Sequence, residues 1–382
     1  MKRAKWPASS SAPVVTPLQP SVVYASRDPD ALDAQYDGTD PGYTYAREAH
    51  PNAQVLAGLI DQLEGADGGI VVGSGMAAIT VALLGVLRAG DHVIGADQLY
   101  GRSLRMMTEE LPRMGIETTL VDATDATRVA AALRPETKLI LIETLSNPTL
   151  RMSDLDGILA LRERGVMIAV DNTFTTPALI KPLERGADIT IHSVTKMLAG
   201  HSDVTLGYVA AQDPALNTRF ADLAATMGVT ASPFDCWLGE RGLYTFDLRF
   251  ERASATASRL ADALAESGKT TKVLYPTRPD HPDHNKATQL LNGKGGNMVS
   301  FEIAGGREAA NRLVQALDGI AFAPTLGDIR TTLSHPPSSS HRAMDEAGRQ
   351  ALGITEGFFR VSVGCEDADG LIGAFLDALD QG

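Results

Sequence analysis

Apolar positions first organise into a helix at Val55, Leu56, Leu59, Ile60 and Leu63, which share one face of a segment ending at Gly65. Short apolar runs then alternate with helical stretches: a strand at 69–72, a helix at 76–88, a strand at 92–94, a helix near 102–113 and a strand at 117–121. Further strands are expected at 139–142, 166–170 and 189–191. Strands separated by helices predict an α/β fold, a mostly parallel sheet with helices on both faces, running to about residue 210. Beyond residue 246 the texture changes to a smaller α+β unit: a long helix at 247–266, strands at 298–303 and 358–363, and a closing helix at 368–379. Residues 1–50 are rich in Pro, Ser, Asp and Tyr and show no helical period, so they read as an extended arm. The expected organisation is an arm (1–50), a large α/β domain (51–245) and a C-terminal α+β domain (246–382).

Composition narrows the function. A formal charge of −13 over 382 residues should repel nucleic acid and anionic membranes, so an anionic ligand needs a local site of cations or backbone amides. Two cysteines, Cys236 and Cys365, are too few for a disulfide framework and suit a reducing cytoplasm. Met1 to Pro13 carries three cations and no apolar core, which argues against a signal peptide. The longest nearly unbroken apolar run, Gly75 to Leu87, is too short to cross a bilayer and reads as a core helix.

Lys196 is the pivotal residue for chemistry. It ends Ser193-Val194-Thr195-Lys196, just past the apolar run Ala187–Ile191. Desolvation at such a place lowers a lysine's pKa, and the resulting amine is a nucleophile towards carbonyl groups, pyridoxal phosphate included. An exposed lysine at a strand end is the plain alternative. The turn Gly73-Ser74-Gly75-Met76-Ala77-Ala78 leads from strand to helix, where free amides face an anion. Its spacing also fits the nicotinamide-dinucleotide fingerprint, with Asp97 about twenty residues on, and equally fits tight packing. Asp171 favours a pyridine ring: it closes an apolar strand at the sheet's carboxyl edge, where an acid keeps a ring nitrogen protonated. Its alternative is an N-cap.

Other groups join that pair. Tyr100 follows a strand edge, and its ring suits stacking on a cofactor, or a half-exposed place in a loop. Asn147 suits donation to a cofactor oxygen, or a turn before proline. Arg360, on an apolar strand, suits bidentate capture of an amino-acid carboxylate. Tyr45 and Arg47 lie in the arm, far from the sheet in sequence; if they serve a site at all, an arm reaching into a neighbouring subunit is the natural way. No metal site is expected: Pro282 separates His281 from His284, which read as solvated loop residues. Gly-Lys-Gly-Gly at 293–296 reads as a turn, and Ser338-Ser339-Ser340-His341 lacks a nucleophile-elbow context and reads as a loop.

Across nearly the whole chain these residues resemble the Cys/Met-metabolism family of pyridoxal-phosphate (PLP) enzymes: cystathionine γ-synthases, cystathionine and methionine γ-lyases, and O-acylhomoserine sulfhydrylases. The likeness is carried by Tyr45-Ala46-Arg47, Leu63-Glu64-Gly65-Ala66, Ser74-Gly75-Met76-Ala77-Ala78, Tyr100-Gly101, Ser146-Asn147-Pro148, Asp171-Asn172-Thr173 and Ser193-Val194-Thr195-Lys196. It continues in Gly200-His201-Ser202-Asp203, Ser232-Pro233-Phe234-Asp235, His335-Pro336 and Arg360-Val361-Ser362-Val363-Gly364. The resemblance implies a type I aminotransferase-like fold and a homotetramer, a dimer of dimers with shared active sites. It implies Lys196 as the Schiff-base lysine, Asp171 at the pyridine nitrogen and Tyr100 on the ring. Gly75, Met76, Ser193 and Thr195 would hold the phosphate with the partner's own Tyr45 and Arg47 equivalents, and Asn147 and Arg360 would contact substrate or the cofactor's oxygen.

Several positions depart from the family pattern. His50-Pro51-Asn52 replaces the common Asn-Pro-Thr, and Thr325 replaces a serine while keeping the hydroxyl. Arg102 stands where methionine γ-lyases typically carry cysteine, which counts against that reading. Arg330 stands where cystathionine γ-lyases and synthases typically carry glutamate, and Leu326-Gly327-Asp328 with this basic residue nearby is similar to the sulfhydrylases. Arg102 and Arg330 could read a second carboxylate, or be solvated. The resulting expectation is γ-replacement on an O-acylhomoserine by cysteine or sulfide, with C–S γ-elimination as the alternative and a nicotinamide-dependent oxidoreductase as the remote one.

Overall fold

The computed structural model describes residues 9–342 and 344–381. Most of the stretch on which the leader-free reading rests, Met1 to Pro13, lies outside the described residues. Seven strands form the main sheet: β1 (Ile70–Val72), β2 (His92–Ala96), β3 (Glu117–Val121), β4 (Thr137–Glu143), β5 (Met167–Asp171), β6 (Ile189–His192) and β7 (Gly207–Ala211), in the order β1-β7-β6-β5-β4-β2-β3. The run from β6 to β3 is parallel; β7 is antiparallel to both its neighbours. The expected mostly parallel α/β sheet is what the chain forms.

This order bears on the glycine turn. In a dinucleotide fold the strand feeding that turn lies inside the sheet, beside a parallel neighbour across the switch point. Here β1 is an edge strand whose one neighbour, β7, runs the other way. The crevice such a cofactor needs is therefore not built at the end of β1.

A second sheet contains β8 (Thr270–Leu274), β9 (Met298–Ile303), β10 (Ala321–Phe322), β11 (Thr332–Ser334) and β12 (Phe358–Ser362), in the order β10-β11-β12-β9-β8. It has its own apolar cluster, in which Phe301, Phe359 and Phe375 pack together. The helix Phe246–Glu266 serves both cores: Phe246 and Phe250 lie in the large cluster, Leu260 and Leu264 in the small one.

Two helices depart from the sequence reading. The arm contains Pro29–Tyr36, begun by Asp28, whose side chain accepts from the Ala31 amide, and by a proline in the first turn. Eight residues are too few to display a period. The expected helix near 102–113 is three pieces, Gly101–Arg105, a π-helical turn Met106–Glu110 and Leu111–Arg113. Pro112 cannot donate to Thr108 and its ring would strike that carbonyl, so the helix widens before it.

The His50-Pro51-Asn52 departure has a local use. His50 caps the helix Pro51–Glu64: Nδ1 accepts from the Ala53 amide at 3.2 Å, so Nε2 carries the proton and donates to the Ala231 carbonyl at 3.1 Å. Asn52 straps down the arm, accepting from Gln19 N and donating to Pro17 O, and Trp237 adds a bond to Thr16 O. Leu56 and Ile60, on the same helix, are fully buried, worth roughly 1.5–3 kcal/mol each. The arm thus starts from a firmly docked helix.

His281 is buried, not solvated as expected. The turn carrying it packs under Arg151, whose Nε and Nη2 grip Asp283 at 2.6 and 3.2 Å, and its Nδ1 accepts from the Asp283 amide. Burial pulls the His281 imidazole down to about 4, and that of His341 likewise. No cluster of potential metal ligands forms among the described residues. Because the folded chain keeps these rings neutral, the unfolded chain binds more protons from the ordinary value of 6.5 down to about 4. Stability should fall as pH drops through that window. The His281→Gln variant should lose on the order of 2–3 kcal/mol of that pH dependence. Urea unfolding at pH 7 and pH 4.5 checks it; equal slopes in variant and parent would contradict it.

Candidate active site

The carboxyl ends of β4, β5 and β6 open on one cleft, and the residues just past them supply its chemistry. Asp171 ends β5. Its Oδ1 accepts from the Thr173 amide at 3.0 Å and the Thr173 hydroxyl at 2.6 Å, a local Asx turn. Its Oδ2 has no partner among the described residues and is left for a ligand. Burial raises the Asp171 carboxyl, opposed by the Thr173 bonds and by His192. The capping and ring-binding readings therefore describe different oxygens of one carboxylate.

Lys196 follows β6, the strand beside β5, on a turn closed by its own amide to Ser193 O at 3.1 Å. Burial lowers its pKa, and the nearby Arg360 adds to the shift. Its Nζ lies 3.4 Å from Thr325 Oγ1. The next residues press closely on this turn. Gly327 has φ +83°, and a Cβ there would lie 2.9 Å from Lys196 Cα and 2.5 Å from Met197 N, so only glycine fits.

Arg360, on β12 of the second sheet, reaches the same cleft. It is 4% exposed; Nη1 donates to Asn147 Oδ1 at 2.7 Å and Nη2 to the Thr325 carbonyl at 2.9 Å. No carboxylate pairs with it among the described residues, and its buried Nε has no acceptor. Burial pulls the guanidinium down to about 10. A buried cation without a counter-ion is costly, and its unused donors mark where an anion binds. Because Asn147 accepts through Oδ1, its Nδ2 remains available as a donor. The loop bearing Asn147 is held to the second sheet by Ser300 Oγ donating to Pro148 O at 2.7 Å, and to the start of the helix His284–Leu290 by the Arg151–Asp283 pair.

At the other end of the cleft, Ser74 caps the helix Gly75–Val86 by accepting from Ala77 N. Gly75 and Met76 head it, with first-turn amides that the helix leaves unpaired. A Cβ on Gly75 would lie 2.7 Å from Ser193 Cβ, so the helix start and the Ser193 hydroxyl form one narrow cradle. Gly73 differs from expectation: its amide is already bonded to Val229 O. Thr195 also differs, since its hydroxyl donates to Leu206 O at 3.1 Å and accepts from Leu206 N at 2.9 Å, which leaves it bracing the loop.

Tyr100 is 41% exposed at the start of Gly101–Arg105. Its amide donates to Glu143 Oε1 at 2.5 Å. Arg102 and Arg330 are exposed, and neither side chain forms an ion pair among the described residues. Tyr45 and Arg47 do not join the cluster: Arg47 lies over the Tyr45 ring and pairs with Glu48. Sequence reasoning missed Glu143, Thr173 and a buried pair behind the sheet, Glu64 with His192, held by Asn172. Thr173 carried a visible signal, the Asp-x-Thr spacing of an Asx turn.

A cofactor with a phosphate, a basic ring nitrogen and an aldehyde fits this donor set. The amide-lined cradle suits the phosphate, Asp171 Oδ2 suits the protonated ring nitrogen, and the desolvated Lys196 amine suits the aldehyde. Three likenesses accompany the geometry. A cystathionine beta-lyase of Bacillus subtilis (strain 168) is 42% identical over 340 residues, 89% of this chain and 86% of that protein. An L-methionine gamma-lyase of Porphyromonas gingivalis is 34% identical over 371 residues, covering 96% and 93%. The crystal structure of cystathionine gamma synthase from Xanthomonas oryzae pv. oryzae in complex with cystathionine superposes with a TM-score of 0.91 at 35% identity, covering 96% of this chain and 93% of that one. The family profile described as Cys/Met metabolism PLP-dependent enzyme matches residues 3–380. The chain belongs to that family, and is a PLP-dependent enzyme of the lyase or synthase type in sulfur amino-acid metabolism.

Proposed function

We propose that this enzyme cleaves the C–S bond of a cystathionine-like amino acid, releasing a thiol, a 2-oxo acid and ammonia. The observation that carries action on an α-amino acid is the Arg360–Thr325–Lys196 arrangement, a buried cation without a counter-ion linked through one residue to a desolvated amine; the choice of C–S cleavage rests on the lyase relatives. Arg360 takes the α-carboxylate in a charge-assisted grip, and Lys196 then stands beside Cα as the base for the α-proton. Bound PLP supplies an electron sink for the charge left at Cα. Asp171 Oδ2 would hold the proton on the ring nitrogen, with the Thr173 donors favouring that carboxylate's charge. Asn147 Nδ2 would donate to the cofactor's ring oxygen. Gly75 N, Met76 N and Ser193 Oγ would hold the phosphate, with Thr195 bracing their loop.

Arg102 and Arg330, both unpaired, would meet the second carboxylate of such a substrate. Tyr45 and Arg47 would complete the phosphate site of a neighbouring subunit. A homotetramer is supported by apolar side chains left uncovered on one chain: Val14, Val15 and Val23 of the arm, with Phe234, Tyr244 and Leu248. A cytoplasmic setting is supported by the two free cysteines. No helix among the described residues is long and apolar enough to cross a membrane.

Elimination is preferred over replacement because the relative at 42% identity is a cystathionine beta-lyase and another, matching 96% of the chain, is an L-methionine gamma-lyase. Replacement, favoured by the sequence reading of Leu326-Gly327-Asp328 and Arg330 and by the likeness to the Xanthomonas synthase, is the second reading. Cystathionine alone is expected to yield 2-oxo acid and thiol. Pyruvate with homocysteine would mark cleavage at Cβ, and 2-oxobutanoate with cysteine cleavage at Cγ. If cystathionine is inert while O-succinylhomoserine plus cysteine gives a thioether, the lyase reading is overturned.

A further inference from the structure

Beside Asp171 stands a second buried carboxyl group with no task in the scheme above. Glu143 ends β4 as Asp171 ends β5, and the two are register partners on neighbouring parallel strands. Partners in register project to the same face of a sheet, so both carboxyls line the cleft wall. Glu143 is 7% exposed and meets no cation among the described residues. Two acids in register at the same strand edge, one buried and one partly so, oppose each other's ionisation. Asp171 holds two donors on one oxygen, from Thr173. Glu143 has one, the Tyr100 amide. The charge therefore belongs on Asp171 and the proton on Glu143. Burial, and then the Asp171 charge, push the Glu143 carboxyl well above the usual carboxylate range, which agrees with that division.

The Tyr100 amide is the point where Glu143 acts. Tyr100 opens the short helix Gly101–Arg105 without any side-chain cap of its own. Next to it, Gly101 is pressed against the Ser340 carbonyl, where a Cβ would come within 2.6 Å. The loop is held on either side of Tyr100, by Gln98 accepting from Ser146 and Thr149 and by buried Leu99 and Ser103, and at Tyr100 itself the Glu143 contact is the one that fixes the backbone amide. Glu143 itself is anchored from behind, its carbonyl accepting from Ser153 Oγ at 2.6 Å.

We propose that Glu143 is a positioning residue for Tyr100: as a neutral carboxylic acid it holds the Tyr100 amide and so sets the phenol ring against the cofactor, leaving Asp171 as the sole charge at the ring nitrogen. The proposal rests on the reading that Tyr100 stacks on the cofactor. A neutral acid suits this task better than a carboxylate, because a second negative charge would compete with Asp171 for the ring proton.

Three variants of the holoenzyme test it: Glu143→Gln, Glu143→Ala and Tyr100→Leu. Two measurements are read, the visible circular dichroism of bound PLP, which reports how the ring is held, and the PLP concentration that half-saturates the apoprotein. Glutamine keeps the shape, the neutrality and the acceptor oxygen. It should stay within about threefold of the parent in cofactor affinity and keep its dichroism. Alanine leaves the amide unpaired; it should weaken PLP binding by about tenfold or more and change the dichroism in the same sense as Tyr100→Leu. Glutamine as damaging as alanine would mean the negative charge matters and would overturn the proposal. So would an alanine variant with parental dichroism, when Tyr100→Leu alters it. If Tyr100→Leu itself leaves the dichroism unchanged, the stacking reading fails and takes this proposal with it. Far-ultraviolet dichroism establishes that each variant is folded; should alanine not fold, Glu143→Met, which keeps the volume without the acceptor, takes its place with the same expected losses.

Discussion

A Lys196→Ala enzyme is expected to turn over roughly three to four orders of magnitude more slowly than the parent, because it would lack the proposed base beside Cα. Its apoprotein is expected to be more stable. Lys196 is desolvated and sits near the Arg360 guanidinium, and both push its pKa below the ordinary 10.5. The folded chain thus holds that proton at a cost the unfolded chain does not bear. The deficit is fully present below the lowered value and vanishes as pH rises past 10.5, so the stability curves of variant and parent should converge at alkaline pH. Loss of activity with gain in stability is the signature of a functional, strained residue. Wash-out of the α-deuteron from deuterated substrate, followed by NMR, separates base from scaffold. Parental exchange rates in the variant would remove Lys196 from the base role.

Arg360→Lys should lower kcat/KM by roughly two orders of magnitude, mostly through KM, although the charge is kept. An ammonium cannot reach Asn147 Oδ1 and the Thr325 carbonyl in a fixed plane while also presenting a fork to a carboxylate. The lost contact also frees the Asn147 side-chain amide to rotate, so a modest fall in kcat should accompany the rise in KM. The measurement compares the amino-acid substrate with the matching amine that lacks the carboxylate. The amine should react poorly with the parent and no worse with the variant. Equal losses on both compounds would show that Arg360 supports the cleft without gripping the carboxylate.

Much of this site was readable because its parts lie where the apolar pattern breaks. Asp171 and Lys196 each follow an apolar run on successive strands, and Arg360 is a cation inside one. Glu143 carried the same signal, an acid ending the run 139–142, but its meaning depends on facing Asp171, and register between strands is invisible in one-dimensional pattern. The edge position of β1 was hidden for the same reason: a glycine turn after a strand looks alike in an edge and a central strand, and only the antiparallel return of β7 distinguishes them. His281 looked solvated because its surroundings are polar in sequence; its cover, Arg151, comes from far along the chain. The arm's two functional candidates could be named but not placed, since what they would complete belongs to another copy.

Thr325 bears on the range of substrates. Its hydroxyl touches the Lys196 amine and its carbonyl touches the Arg360 guanidinium. One residue therefore sets the span between the group proposed to seize the carboxylate and the group proposed to take the α-proton. That span is the same in every α-amino acid, whatever hangs beyond Cα. The frame acts as a ruler for the common end of the substrate and is indifferent to the leaving group. Changing the reaction from one sulfur compound to another should accordingly leave this ruler intact and fall on outlying positions such as Arg102 and Arg330, so that selectivity can drift without the proton-transfer geometry being rebuilt.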